Sequence, residues 1–571
     1  MNRNVESHFA LNPTNIDIRR STFDRSHSLK TSFNVGDIVP FFVDEVLPGD
    51  TFNVDTSKVV RLQTLLTPVM DNIYLDTYFF FVPNRLTWSH WKQFNGENTE
   101  SAWIPQTEYE IPQITAPASG GWSVGTIADY LGVPTGVPNL SVSALPFRAY
   151  ALVMNEWFRD ENLSDPLVVP VDDATVAGVN TGTFVTDVCK GGLPYKAAKY
   201  HDYFTSCLPS PQKGPDVTIP VAEAGNYAVV GNGKPLGWTD GSHVASAVPF
   251  VSNVSGFDRG VSFGPLVGST VANTLTFDVT KNAGVPTQAQ LGDDLSNSGL
   301  IAVASGNAAA ATINQLRMAF QIQKLYEKDA RGGSRYIEIL KSHFGVTSPD
   351  ARLQRPEYLG GNRIPININQ VVQQSATASG ETAQGTVTGM SVTTDTHSDF
   401  TKSFTEHGFV IGVMVARYDH TYQQGLERFW SRKDRFDYYW PVFANIGEQA
   451  VKNKEIFAQG PATKDSAGNV IDDQVFGYQE AWADYRYKPS RVTGEMRSQY
   501  AQSLDVWHLA DDYSALPALS DSWIREDKTN VDRVLAVTSS VSNQLFADVY
   551  IKNRTTRPMP MYSIPGLIDH H

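Results

Sequence analysis

Two pentapeptides have the spacing of a nucleophile elbow, in which a serine between glycines is lifted from a tight turn to attack a carbonyl. They are Gly121-Trp122-Ser123-Val124-Gly125 and Gly260-Val261-Ser262-Phe263-Gly264. Such an elbow needs a buried strand before the serine and a helix after it. The first match follows a loop, Pro117-Ala118-Ser119-Gly120, and the second runs into Pro265 and Gly268 with no helical pattern, so neither is expected to act. Gly231-Asn232-Gly233-Lys234 approaches a phosphate loop, but Pro235 has no amide to offer a phosphate. The 12 histidines are scattered; His201, His343, His407 and His420 lie near acidic residues without metal-ligand spacing. The pairs Asp293-Asp294 and Asp511-Asp512 fall in polar turns, whereas glycoside hydrolysis needs two carboxylates converging across a cleft. Cys189 and Cys207 can form at most one bridge and no four-cysteine zinc site, and free thiols in a reducing cytoplasm are expected. No catalytic residue, cofactor or metal is therefore expected, although ligands shared between two chains would leave no local motif.

The elements that must position these residues are mostly strands. Asp37 to Val43 is a short apolar run stopped by Pro48-Gly49-Asp50, and Pro40 within it predicts an edge position or a strand start. Ile73 to Val82 is aromatic-rich and ended by Pro83-Asn84. Phe409 to Val415 suits a strand buried on both faces. Leu545, Ala547, Val549 and Ile551 alternate with Phe546, Asp548, Tyr550 and Lys552, the period of a half-buried strand. Helices are predicted over Phe147 to Phe158, about Thr312 to Asp329, and Ser334 to Phe344, each with an apolar stripe expected to pack on a sheet.

The chain has 571 residues, of which 41% are hydrophobic and 11% aromatic, which excludes disorder as its main state. No run is apolar enough to cross a membrane; even the charge-poor Leu295 to Leu316 is rich in Ser, Asn, Gly and Ala. Asn2, Arg3, Asn4 and Glu6 begin a polar arm rather than a signal peptide, so synthesis in a cytoplasm is expected. The net charge of −14 argues against a protein that coats nucleic acid over its whole surface. Residues 1–30 and 552–571 nevertheless each carry a net +2, making two basic termini on an acidic body. Between Thr205 and Ala311 only 11 of 107 residues are charged, against 19% for the chain. Such a stretch reads either as a surface that contacts another copy or another protein, or as a small β-subdomain folded on its parent.

Several motifs together resemble one family. Lys199-Tyr200-His201-Asp202-Tyr203-Phe204 through Gly214 is similar to the segment preceding the large insertion in major capsid proteins of microviruses, the gokushovirus group of small single-stranded DNA bacteriophages. Thr22-Phe23-Asp24-Arg25-Ser26-His27, Asp76-Thr77-Tyr78-Phe79-Phe80-Phe81-Val82-Pro83 and Arg148-Ala149-Tyr150 through Arg159 agree in order and spacing. So do Arg355-Pro356-Glu357-Tyr358-Leu359-Gly360-Gly361 and Tyr485-Arg486-Tyr487-Lys488-Pro489-Ser490, and the resemblance spans the chain outside the insertion.

The resemblance implies a mainly β chain: an eight-stranded antiparallel jelly roll, a β-sandwich with long loop insertions and a few helices. It implies a T=1 icosahedral capsid built from copies of this subunit, a threefold protrusion formed by the insertion, and a packaged single-stranded DNA genome. The corresponding divisions are a basic arm (1–30), the first part of the sandwich (31–204), the insertion (205–311), the second part (312–551) and a basic tail (552–571). Arg3, Arg19, Arg20, Arg25 and Lys30 of the arm, with Lys552, Arg554 and Arg557 of the tail, are the expected phosphate contacts, and Phe9 or Phe23 is suited to stack on bases. So few cations call for a small basic DNA-binding virion protein or polyamines as a further partner. Aromatic segments such as Phe436 to Pro441 and Trp482 to Tyr487 suit subunit contacts. Residues 205–311 are the expected site of host attachment through a surface receptor. The expected location is the virion, assembled in the host cytoplasm. The alternative is a β-rich receptor- or carbohydrate-binding adhesin that uses the same segment.

Overall fold

The computed structural model describes residues 19–97, 108–215, 217, 228–231, 237–238, 248–249, 300–303, 313–333, 335–346, 354–375 and 382–562. Arg3, Phe9, the second glycine–serine pentapeptide and most of the low-charge segment lie outside them. The chain divides into two compact units, Met1–Lys213 with Tyr326–His571, and Gly214–Leu325.

Two antiparallel sheets build the first unit. In the first sheet β9 (Leu545–Arg557) pairs with β4 (Thr51–Leu62), which pairs in turn with β7 (Thr393–Ser403). Along the other edge of β9 run β1 (Ser21–Asp24) and β2 (His27–Phe33), end to end with a break at Arg25-Ser26. The second sheet has the order β6 (Glu357–Pro365), β5 (Ile73–Pro83), β8 (Gly408–Tyr418), β3 (Val39–Val46). From β2 to β5, and again from β6 to β9, each successive strand crosses to the opposite sheet. Phe52, Val54 and Val60 of β4 and Val549 and Ile551 of β9 share one buried core with Phe79 and Phe81 of β5 and Val410 and Met414 of β8. The chain is a mainly β sandwich.

The strand patterns follow from what covers each sheet. The second sheet is sandwiched, because helix α1 (Leu145–Val153) and its neighbours cover its far face: Phe147, Tyr150 and Met154 cluster with Phe80, Val82, Ile411 and Val413. That is why Phe409 to Val415 reads as an unbroken apolar run. Among the described residues nothing comparable covers the first sheet, and β9 alternates buried and exposed residues over most of its length. Pro40 lies on the edge strand β3, next to a register shift opposite Gly412 and Val413, where a missing amide breaks no ladder.

The predicted helices form, with differences in what they pack against. The first, α1 (Leu145–Val153), continues as a π-helical turn through Met154–Phe158. The second, α2 (Ile313–Gly332), runs slightly past the expected end, and the third, α3 (Tyr336–Phe344), stops at Gly345 in the left-handed region, φ 69°. The stripe of α1 packs on a sheet as expected. Met318 and Phe320 of α2 and Tyr336 and Phe344 of α3 are exposed.

Thr205 and Cys207 are buried, and Cys207 joins a cluster with Phe204, Tyr422 and Trp523, so residues up to Lys213 belong to the first unit. In the second unit Leu300–Val303 pairs antiparallel with Ala228–Gly231, and Gly237–Trp238 with Val248–Pro249.

Close backbone approach fixes one glycine of the motif at residues 355–361. A Cβ on Gly361 would lie 2.0 Å from the Thr77 carbonyl oxygen, a backbone atom of the adjacent strand β5. Gly361→Ala is expected to destabilise the subunit by about 3 kcal/mol, read as a lower urea midpoint. An unchanged midpoint would mean that β6 shifts without loss.

Candidate nucleic-acid interface

The structure offers no catalytic constellation at the sites tested. Ser123 is exposed, with a four-residue helix, Ile127–Tyr130, after it and a turn before it, so nothing strains its hydroxyl into a nucleophilic position. A cleft of about 370 Å³ opens between Leu426–Arg432 and Asp484–Arg497. Each of its carboxylates already faces a cation: Glu427 meets Lys488 at 3.3 Å and Arg491 at 2.6 Å, Glu455 meets Arg428 at 3.6 Å, and Asp484 meets Arg432. A paired carboxylate makes a poor general base. Among the described residues no cluster of His, Cys, Asp and Glu is arranged to hold a metal ion. His343 bonds Asp329 at 2.6 Å, and His420 lies buried between Asp511 and Glu526. Both cysteines are free and buried, and burial pushes their thiols up, which suppresses thiolate chemistry. Among the described residues no helix is long and apolar enough to cross a membrane.

The predicted phosphate contacts separate into two groups. The arm expected over residues 1–30 is strand from Ser21 onward, and the tail expected from Lys552 is the end of β9. Their side chains therefore have fixed directions. Arg25 reaches across to Asp44 at 2.5 Å, and Arg557 bonds the Glu45 carbonyl at 2.6 Å and lies 3.1 Å from Asp50. Arg20 donates to the Gly49 carbonyl at 2.6 Å and to the Thr51 hydroxyl. These three arginines pin the sheet ends together. Phe23 pairs with Thr555, a buried position of β9, so its ring is directed to the core side rather than to bases. Arg19 is exposed.

Lys30, Lys552 and Arg554 share the outward face of the first sheet. The register places Ser32, Phe546 and Arg61 in one row, Lys30, Asp548, Val59 and Thr394 in the next, and Ser28, Tyr550, Ser57 and Thr396 in a third. Beyond them Lys552 lies between Asp55 and the end of β2, and Arg554 lies between Asn53 and Asp24. Lys30 and Lys552 make loose pairs with Asp548 (3.6 Å) and Asp55 (3.3 Å), the kind of exposed contact worth less than about 1 kcal/mol. Arg61 and Arg554 make no ion pair within 4 Å among the described residues. Hydrogen bonds from Ser26, and then the Arg554 charge, hold Asp24 below the usual carboxylate range. Tyr550 and Phe546 stand half-exposed beside these cations.

Serine and threonine hydroxyls, guanidinium groups and aromatic rings on one open face are the groups that contact phosphates and stack on unpaired bases. Arg61 and Tyr550 were not among the expected contacts. The signal for Arg61 is the alternation of Asn53, Asp55, Ser57, Val59 and Arg61 with Phe52, Val54, Thr56, Lys58 and Val60 in β4.

The chain belongs to the phage capsid protein (F protein) family, whose profile matches residues 13–567. It is 42% identical to capsid protein VP1 of Chlamydia phage 1 over 600 residues, covering 99% of this chain and 98% of that protein. It is 42% identical to capsid protein VP1 of Bdellovibrio phage phiMH2K over 571 residues, with the same coverage. Capsid protein VP1 of Spiroplasma virus 4 is 43% identical over 554 residues and 96% of each chain. The resemblance read from the motifs therefore holds: the chain is a capsid protein, located in the virion and not an enzyme, which assembles with copies of itself around a genome.

Proposed function

We propose that this subunit builds a T=1 icosahedral shell around single-stranded DNA and turns the open face of the first sheet toward that genome. The observation that carries the reading is the alignment of Lys30, Arg61, Lys552 and Arg554 with Tyr550 and Phe546 along one face that no element covers among the described residues. The alternation of successive strands between two sheets supports reading the sandwich as a jelly roll, whose end loops lengthen without disturbing the core. Loop length is what a closed shell needs, since every patch must find a complement on a neighbour.

Contact through this face is electrostatic and independent of base sequence. Its four cations stand against Asp24, Asp55 and Asp548, so it holds DNA weakly. A small basic virion protein or polyamines supply the remaining neutralisation. The segment 205–311 forms the threefold protrusion and meets the host receptor, and assembly takes place in the host cytoplasm. The adhesin alternative has no observation in its favour beyond the low charge of that segment.

Titration of the full-length subunit with a single-stranded oligonucleotide tests the face. Arg61→Ser with Arg554→Ser is expected to weaken binding for all sequences alike and to shallow the salt slope by about 1.4, from ~0.7 per cation on single strands. Particles of this variant should carry less DNA. Equal DNA content and an equal salt slope would remove the genome from this face.

A further inference from the structure

The long connection between β8 and β9 presents a second surface, of different character. Over Arg428–Ile446 and Trp482–Arg491, ten of 29 residues are Phe, Trp or Tyr, against 11% in the whole chain. Many of the larger side chains are open to solvent: Val442 is 81% exposed, Trp430 67%, and Phe436, Tyr438 and Trp440 are each more than half exposed. Eight of the ten rings are about half exposed, and with roughly 200 Å² per large aromatic side chain they present about 800 Å². A standard protein interface takes roughly 800 Å² from each partner, and a lone soluble protein rarely exposes so large an apolar patch.

The surface is held in place. Three single helical turns, Arg428–Ser431, Arg435–Asp437 and Pro441–Asn445, shape the loop. Trp440 donates its indole N–H to the Arg435 carbonyl at 2.8 Å. The Tyr439 and Phe443 rings lie 5.8 and 6.0 Å from Trp482, and the Arg432 guanidinium lies over Tyr485 at 4.3 Å. Such fixed rings lose little conformational entropy when covered.

Charge decides what covers them. Five of the seven cations of this surface are paired within the chain: Arg428 with Glu455, Arg432 with Asp484, Arg486 with Glu480, Lys488 and Arg491 with Glu427, while Arg435 lies over the Phe436 ring and Lys433 makes no ion pair within 4 Å among the described residues. Phosphates would have to displace those carboxylates, whereas Arg61 and Arg554 on the first sheet stand free of ion pairs among the described residues. What remains is an apolar, aromatic centre with mostly paired cations around it, the composition of a protein–protein hot spot.

We propose that the aromatic surface of Arg428–Ile446, backed by Trp482–Tyr487, is an assembly contact that docks on a second copy of this chain. The proposal rests on the shell reading and names the surface through which the shell closes. Val442 and Trp430 are its anchors, because both are widely exposed and the Val442 side chain has no polar atom to satisfy.

The test uses full-length Val442→Asp and, separately, Trp430→Ser. Both variants are expected to keep the wild-type circular dichroism and urea midpoint, since neither side chain is buried. The concentration at which closed particles appear in sedimentation velocity should rise at least tenfold for each. Particles at the wild-type threshold with both substitutions would overturn the assignment and leave the shell reading intact. Normal particles with reduced DNA content would overturn it in favour of a genome contact. A wild-type chain that forms no particles under any condition would overturn the shell reading and this contact with it.

Discussion

Replacing His420 by leucine is expected to destabilise the subunit by ~3–5 kcal/mol, because it strips the shared partner from two buried carboxylates. The His420 side chain is 1% exposed; its Nδ1 lies 3.0 Å from Asp511 Oδ1 and its Nε2 3.0 Å from Glu526 Oε1. Burial alone would lower the imidazole pKa, but Glu526 and then Asp511 outweigh it and raise the value from 6.5 to about 10. Burial pushes Asp511 upward, while His420 and Lys199, with Nζ at 3.7 Å, hold it well below the usual carboxylate range. Tyr513 and Asn530 donate two further hydrogen bonds to Asp511. The cluster ties Lys199 and the long β8–β9 connection to the end of β8, so its loss frees several segments at once.

The pH dependence follows from the direction of that shift. A histidine whose folded pKa lies above its unfolded value stabilises fully below pH 6.5, and the contribution fades as pH rises toward 10. Urea midpoints of the wild-type subunit should therefore fall across that window, and His420→Leu should lack this component of the slope. Equal midpoints for the two proteins at pH 6.5 would show that the charges do not hold the cluster together.

The sandwich was legible because burial leaves a period in the residues. Ile73 to Val82 read as an aromatic-rich strand, Phe409 to Val415 as one covered on both sides, and β9 as covered on one. The pairing of the basic termini was not legible, for a physical reason. Ser21–Asp24 and His27–Phe33 are polar enough to look like a solvated arm, and their pairing partner lies more than 500 residues away. Nothing local shows that Arg25 meets Asp44 or that Arg557 meets Asp50. The exposed rings of α2 and α3 carry the same lesson in reverse: an amphipathic stripe shows that a face is to be covered, not by what. Charged residues of the family motifs also proved structural. Lys199, Asp202 and Asp76 are embedded in hydrogen-bond clusters, where a change in one partner strands the others. Spacing along the chain cannot show such convergence.

Asp76→Asn is expected to be nearly as damaging as the His420 change. Asp76 sits within β5 at 1% side-chain exposure and receives Arg363 from β6 at 2.7 Å, Arg417 from β8 at 2.6 Å and the Tyr200 hydroxyl at 2.9 Å. Both guanidinium groups also lie over the Tyr200 ring, at 4.5 and 4.2 Å from its centre. One carboxylate thus ties three strands of the second sheet to the segment that precedes the insertion. Burial alone would raise its pKa, but the Arg363 hydrogen bond, the Arg417 charge and the Tyr200 hydroxyl together hold it below 3.8. A depressed carboxylate stabilises above its unfolded pKa, so this contribution is present above about pH 4 and is lost as pH falls through the folded value. Asparagine keeps the shape but turns an amide N–H₂ or a neutral oxygen toward two cations, and Arg417, 13% exposed, is left without its counter-charge. A loss of ~3 kcal/mol in urea unfolding at neutral pH is expected, with a flatter acid limb than wild type. Arg417→Met tests the coupling: combined with Asp76→Asn it should cost clearly less than the two single losses together, because the second change removes the stranded cation. Strict additivity would mean that the pair does not act as a unit, and that packing around Tyr200 alone fixes the segment.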